Sequence, residues 1–198
     1  MAYQTYLFYF VLFTSIFPLL ALWVKGHQSI PLAVKLVLYF RFFTDVLCFV
    51  FTIYEGNSNP VFHFTLLINF YLIFNVMRQS YSFQKWNIPI LLLSFAIFIW
   101  EMGNNSLFDS IILLNTLTYL LIAILGCFVI YRIHLNPYVN YVIFPLTAYY
   151  ACLVFYALFQ QEIDHSVRIY DKLFYVFAAL TFLLNFTFTR TIWLKKLG

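Results

Sequence analysis

The chain has 198 residues, of which 64% are hydrophobic, 23% aromatic and only 9% charged, with a formal net charge of +4. Soluble domains carry about 25% charged and roughly 45–50% apolar residues, and a soluble globule of this length has too little interior for so much apolar surface. The composition excludes a soluble enzyme, a nucleic-acid-binding module, a disordered regulator and a secreted disulfide scaffold, and it predicts a protein whose solvent is lipid.

Seven apolar runs approach the roughly 20 residues that a helix needs to cross a hydrocarbon core of about 30 Å. They are residues 6–24, 31–53, 60–77, 87–103, 110–131, 138–159 and 172–194. The fourth run is the shortest and reaches a usable length only if its last three residues lie at the interface. Because the runs leave only short connections, we expect an all-α, polytopic membrane helix bundle, a single transmembrane domain over residues 1–198 without a soluble domain.

The charges in the connections alternate in sign along the chain. Odd-numbered connections and the C-terminus are basic, through Lys25 and Lys35, Arg78 and Lys85, Arg132, and Arg190, Lys195 and Lys196. Even-numbered connections are net acidic, through Glu55, then Glu101 and Asp109, then Glu162, Asp164 and Asp171 against Arg168 and Lys172. Lys and Arg mark cytoplasmic loops, so we expect the N-terminus outside and the C-terminus in the cytoplasm. The positive charge then reflects orientation and anionic lipid, without direct nucleic-acid binding.

Two charged residues in the middle of the second predicted helix are the clearest functional candidates. Arg41 and Asp45 lie four residues apart and therefore share one helix face, at a depth where ionisable groups are costly. One interpretation is a buried ion pair that fixes the packing of this helix. The other is a site where Asp45 takes up a proton or a cation, or where Arg41 holds an anionic group.

Amide side chains stand near the middle of two further helices, Asn69 in the third and Asn185 in the seventh. Such groups usually form interhelical hydrogen bonds worth about 0.6–2 kcal/mol. The alternative is a polar layer or a small central cavity, since both amides lie at nearly the same depth as Arg41 and Asp45. Whether the four side chains converge depends on packing that the sequence does not specify.

The sixth helix contains Pro145, which removes one backbone hydrogen bond, with Tyr149, Cys152 and Tyr156 following on the same face. This pattern is typical either of ordinary packing or of a kinked helix that lines a pocket. On the outer side, Glu101 and Asp109 are candidates for receiving an extracellular cation or ligand, and the alternative is a solvated acidic loop.

Neither a catalytic centre nor a metal site is predicted, and no cofactor is expected. The four histidines are scattered, without the spacing of metal ligands. No glycine-rich phosphate loop or nucleophile elbow is present in the sequence. The three cysteines fall inside predicted spans, where we expect them to be reduced.

Three segments carry a resemblance to a known group of proteins: residues 138–160, LLINFYLIFNVM at 66–77, and residues 172–196, which end in LLNFTFTRTIWLKK. They resemble small seven-helix integral membrane proteins of the Bacteroidota, and the likeness extends loosely over the whole chain. It implies a multi-pass protein of the bacterial inner membrane with separately encoded partners, often signalling proteins. A more distant similarity is to membrane accessory proteins of RNA-targeting CRISPR systems. Lysoplasmalogenase-like membrane hydrolases are similar in size, but a hydrolase needs several deep carboxylates and this chain offers Asp45 alone.

The predicted function is a non-enzymatic membrane sensor or regulatory accessory subunit that acts through a cytoplasmic protein partner. Arg41 and Asp45 would be the responsive element, supported by Asn69 and Asn185. Two alternatives remain open: a lipid-handling enzyme or small-solute carrier that uses the same polar residues, and a pore-forming defence effector that assembles as a homo-oligomer.

Overall fold

The computed structural model describes residues 2–25, 30–55, 59–80, 87–104, 112–133, 136, 138–163 and 167–194. Within these residues the chain forms seven helices and no strand, which confirms the prediction of an all-α protein with seven helices. The helices are α1 (Ala2–Lys25), α2 (Leu32–Glu55), α3 (Asn59–Ser80), α4 (Asn87–Asn104), α5 (Ile112–Arg132), α6 (Phe144–Ile163) and α7 (Val167–Trp193).

Six helices form a closed ring, and the fourth lies outside it. Along the chain α1 packs against α2, and α2 against α3; α3 then packs against α5, α5 against α6, α6 against α7, and α7 returns to α1. Helix α4 makes smaller contacts with α3 and α5. Among the described residues, none from α4 lines the space that the ring encloses.

Contacts between helices fix their relative directions. Phe10 contacts Phe182, and Lys25 lies over the Trp193 ring, so α1 and α7 run parallel. Tyr138, just before α6, donates a hydrogen bond to the carbonyl oxygen of Val76 near the end of α3. The ends of α1, α3, α5 and α7 consequently lie together, and the last turns of these helices carry Lys25, Arg78, Arg132 and Arg190. We call this the basic end of the bundle.

A π-helical turn, Val139–Ile143, leads directly into α6. It contacts α3, α5 and α7, and its residues Val139, Val142 and Ile143 are fully buried. The sequence predicts a break at Pro145, and the structure accommodates this proline with a wider turn immediately before it, a common response to a missing backbone N–H. The bundle is therefore tightly packed near its basic end.

The outer surface of the bundle is apolar and rich in aromatic side chains. Trp23 is 78% exposed and Tyr54 81% exposed, and phenylalanines such as Phe13, Phe64 and Phe155 are more than half exposed. Exposed apolar surface on this scale is a property of proteins that face lipid or a partner. Together with the helix lengths, it indicates a membrane protein.

Four described helical segments are long and apolar enough to cross a membrane: Leu32–Tyr54, Asn115–Arg132, Val139–Leu158 and Tyr175–Trp193. Tyr9–Lys25 and Phe64–Arg78 are shorter apolar segments. Helix α7 begins at Val167, five residues before the predicted start at 172. Apolarity marks only the lipid-facing part of a helix, and polar turns can continue where water is available to the backbone, so Arg168, Asp171 and Lys172 belong to the helix instead of the connection.

Candidate intramembrane polar cavity

A cavity of about 70 Å³ lies inside the ring, between α2, α3, α5, α6 and α7. We call it the central cavity. Its polar lining consists of Arg41, Thr44, Asp45, Thr65, Asn69, Thr118 and Tyr149, and its remaining lining of Leu66, Phe70, Tyr119, Ile122, Tyr150, Leu153 and Phe177. Charged and hydroxyl groups thus lie inside the bundle and apolar side chains outside, which is the reverse of their distribution in a soluble protein.

Arg41 reaches from α2 across the cavity to α6. Its Nη2 atom donates a hydrogen bond to Tyr149 Oη at 3.2 Å, and its guanidinium carbon lies 4.7 Å from the centre of the Tyr149 ring. Tyr149 Oη also lies 3.3 Å from Thr181 Oγ1 on α7. A continuous chain of polar contacts therefore links three helices of the ring, α2, α6 and α7.

Asp45 lines the same cavity, but its carboxylate is incompletely satisfied. The nearby hydroxyl of Ser15 on α1 donates to the Leu12 carbonyl oxygen at 2.8 Å, and the buried Asp45 Oδ2 atom has no hydrogen-bond partner in the described structure. The other such buried atom in the described part of the chain is Thr116 Oγ1, a neutral hydroxyl outside the lining. Leaving a charged oxygen without a partner in an apolar interior is far more costly than leaving a hydroxyl.

Arg41 and Asp45 do not touch, although their opposite charges attract each other across the cavity that both side chains line. The two side chains share one face of α2, as their spacing predicts, but no ion pair within 4.0 Å joins them in the described structure. The reason lies on α6, where the Tyr149 hydroxyl and ring together provide an acceptor and a cation–π surface for the guanidinium. Sequence spacing within α2 contains no information about this partner.

The two candidate amides have different environments. Asn69 lines the central cavity together with Arg41 and Asp45. Asn185 is 2% exposed and lies outside the cavity lining, where its Nδ2 atom donates a hydrogen bond to Thr14 Oγ1 at 3.2 Å. Three of the four predicted mid-helix residues therefore meet in one cavity, and the fourth joins α1 to α7.

The two acidic candidates near the outer loops are the remaining predicted site residues. Glu101 belongs to the end of α4, and Asp109 lies outside the described residues. A search of the described residues finds no cluster of three or more His, Cys, Asp or Glu side chains that would suit a metal ion.

The residues that follow Pro145 on one face, predicted either to pack or to line a pocket, have three different environments. Tyr149 lines the cavity, whereas Cys152 is exposed on the outside and Tyr156 packs against Phe177. The adjacent Tyr150, which sequence reasoning missed, lines the cavity and contacts Tyr149 edge-on with ring centres 5.2 Å apart. The available signal was chemical, because a tyrosine in the middle of an apolar helix needs a partner for its hydroxyl.

Comparison with known protein families, with curated proteins and with solved structures finds no match to this chain. The fold and the cavity define an all-helical membrane protein with a small internal cavity lined by one guanidinium and one carboxylate. Chemically, this arrangement suits binding of a very small polar species or a change in the protonation of Asp45.

Proposed function

We propose that the protein is a non-enzymatic, seven-span membrane sensor or accessory subunit whose responsive element is the central cavity. The observation that carries this proposal is Asp45, whose side chain lines the same cavity as Arg41 and whose buried Oδ2 atom has no partner in the described structure. Ionisable groups at membrane depth are costly and usually serve a functional site. A polar species or a proton that reaches Asp45 would change the balance of charge around Arg41.

The contacts of Arg41 offer a route from such an event to the rest of the bundle. Arg41 is hydrogen-bonded to Tyr149, and Tyr149 to Thr181. A shift of the guanidinium would therefore change contacts between α2, α6 and α7. Two of these elements reach the basic end, because α6 starts there through its π-helical turn and α7 ends there. π-helical turns commonly occur at functional sites.

The topology in this proposal places the basic end in the cytoplasm. The last turns of α1, α3, α5 and α7 each carry a Lys or Arg, and such residues favour the cytoplasmic side. The N-terminus would then be outside, and the protein would cross a bacterial inner membrane seven times. The connections between the described helices are too short to hold an output domain of their own. We therefore propose that a cytoplasmic protein partner binds this end and responds to changes in the helix arrangement.

The size of the cavity favours a sensor over a lipid-handling enzyme. Sites for ligands of drug size or larger usually occupy about 300–1,000 Å³, whereas the central cavity is about 70 Å³. Its described lining contains a single carboxylate, Asp45, and no histidine. Acid–base hydrolysis of a lipid would need a larger site.

The test is co-purification from the native host in mild detergent, followed by mass spectrometry of proteins and lipids. The variants are wild type, Asp45→Asn, and Thr187→Val as a matched control, because Thr187 bonds only within its own helix. We expect a stoichiometric cytosolic partner with wild type and Thr187→Val. For equal amounts of inserted protein, Asp45→Asn should change partner recovery several-fold.

Two results would contradict the proposal. The first is unchanged partner recovery with a stably inserted Arg41→Ala, Asp45→Ala double variant. The second is a protein that purifies without any partner but with one specific lipid, which would favour an enzyme or a carrier.

A further inference from the structure

The central cavity is lined by one carboxylate, that of Asp45, and by the guanidinium of Arg41. The Arg41 guanidinium has five N–H donors, and its one hydrogen bond in the described structure goes to Tyr149. Because both side chains line the same cavity, whatever occupies the cavity can contact both of them.

The signs of these groups restrict the chemistry of an occupant. A monatomic cation would be attracted by Asp45 and repelled by Arg41. A monatomic anion would be attracted by Arg41 and repelled by Asp45. In a low-dielectric interior such repulsion between nearby charges is strong. A neutral molecule that donates to the Asp45 carboxylate and accepts from Arg41 avoids both repulsions.

We propose that the central cavity binds a small uncharged molecule that both donates and accepts hydrogen bonds, and that water is its resident occupant. The inference rests on the proposed function, because it assigns a ligand class to the same responsive cavity. The volume agrees: about 70 Å³ is roughly half of the ~150 Å³ of an engineered cavity that binds benzene, and each water needs ~10–15 Å³. The hydroxyls of Thr44 and Thr118 offer the occupant further partners.

X-ray radiolysis of the purified full-length protein in detergent tests this inference directly. Hydroxyl radicals formed from a bound water oxidise the aromatic ring beside it before they diffuse away. Phe70 and Phe188 form a matched pair, since they are 1% and 2% exposed but only Phe70 lines the cavity. Tyr131, which is 79% exposed, reports the radical dose.

We expect Phe70 to be oxidised several-fold more than Phe188 at equal dose. Equal oxidation of the two rings would mean a dry cavity and would overturn the inference. Replacing sodium by N-methylglucamine, or chloride by gluconate, should leave the Phe70 to Phe188 ratio unchanged. A higher ratio after removal of either ion would mean that this ion displaces water from the site, which would overturn the assignment of an uncharged ligand.

A pair of variants locates the labelling water. Asn69→Leu removes a polar group from the lining, whereas Asn75→Leu alters the same helix at a residue that bonds to its own backbone outside the cavity. Oxidation of Phe70 should fall towards that of Phe188 in Asn69→Leu and remain unchanged in Asn75→Leu. Unchanged oxidation in a folded Asn69→Leu variant would place the water elsewhere and overturn the inference.

The outcome separates this inference from the proposed function. If the cavity is dry or filled by an ion but Asp45→Asn still changes partner recovery, only the proposed ligand class is wrong. If the cavity is hydrated but partner recovery does not depend on Asp45, the ligand class stands and the sensor proposal is contradicted.

Discussion

Two regions of the bundle hold polar side chains in the middle of apolar helices, and they differ in how those groups are satisfied. At the α1–α7 interface, Asn185 donates to Thr14 Oγ1, and Thr14 in turn donates to the Val11 carbonyl oxygen. Aromatic contacts and a cation–π contact of Lys25 with Trp193 support the same interface. In the central cavity, Arg41 has a partner on α6, but Asp45 Oδ2 has none in the described structure.

The comparison separates two uses of polarity in a membrane. A hydrogen bond between helices holds them together, and its contribution to stability is small, about 0.6 kcal/mol on average and at most ~1.7. A buried charged oxygen without a partner destabilises the fold by more than such bonds return, so its presence indicates a role that packing does not supply. The α1–α7 interface therefore explains assembly, and the central cavity is the region to associate with function.

The largest expected effect comes from removing Arg41 alone. In Arg41→Met the carboxylate of Asp45 remains in an apolar interior without a nearby cation, which should lower the free energy of unfolding by about 3–5 kcal/mol. The double variant Arg41→Met, Asp45→Leu removes both charges and should lose much less. Unfolding in mixed detergent micelles measures both values on the same scale.

Arg132→Met is the control for the loss of an arginine. Arg132 is exposed in the last turn of α5, and its guanidinium carbon lies 5.4 Å from the Phe128 ring centre, so its removal should cost no more than about 0.5–1 kcal/mol. If the double variant Arg41→Met, Asp45→Leu is less stable than Arg41→Met, the charges of Arg41 and Asp45 do not compensate each other. The distinction between the central cavity and the α1–α7 interface would then be wrong.

A smaller effect is expected where α5 and α6 approach each other. A Cβ atom on Gly126 would overlap the Thr147 side chain, with Thr147 Cβ and Cγ2 each only 2.9 Å away. Gly126→Ala should therefore force α5 and α6 apart and lower stability by about 1–3 kcal/mol. Because these helices carry Tyr119 and Tyr149 of the cavity wall, the Phe70 to Phe188 oxidation ratio should change as well.

Gly103→Ala is the matched control, because nothing lies within 4 Å of an added Cβ atom at Gly103. This variant should be as stable as wild type or up to about 1 kcal/mol more stable, since alanine favours helix over glycine. Equal behaviour of the two alanine variants would contradict the close approach of α5 to α6.

Apolar run lengths were sufficient to predict the seven helices, because lipid imposes both a length and a composition on each span. Within α2, the i to i+4 spacing predicted that Arg41 and Asp45 share one face, and both side chains line the central cavity. These features depend on residues close in sequence or on the solvent. They need no knowledge of which helices become neighbours.

Partners across helices were beyond sequence reasoning. Tyr149 is separated from Arg41 by 108 positions and Asn185 from Thr14 by 171, and nothing local selects these pairs over others. The ring order that places α7 beside α1 and leaves α4 outside decides them. For the same reason, Asn69 and Asn185 had identical local signatures but different roles, one in the cavity and one at the α1–α7 interface.

The smallest effect should come from Asn185, and it tests whether the α1–α7 interface is separate from the cavity. Asn185→Leu removes the hydrogen bond to Thr14 and should cost about 0.6–1.7 kcal/mol. A double-mutant cycle with Thr14→Val should return a coupling of about 0.6 kcal/mol, because the two side chains share one bond. Thr187→Val, which loses only a bond within α7, should show no coupling to Thr14.

Partner recovery and the Phe70 oxidation ratio should both remain at wild-type values in Asn185→Leu. If either changes as it does in Asp45→Asn or Asn69→Leu, the α1–α7 interface takes part in the responsive element, and the division between a packing region and a functional region is wrong.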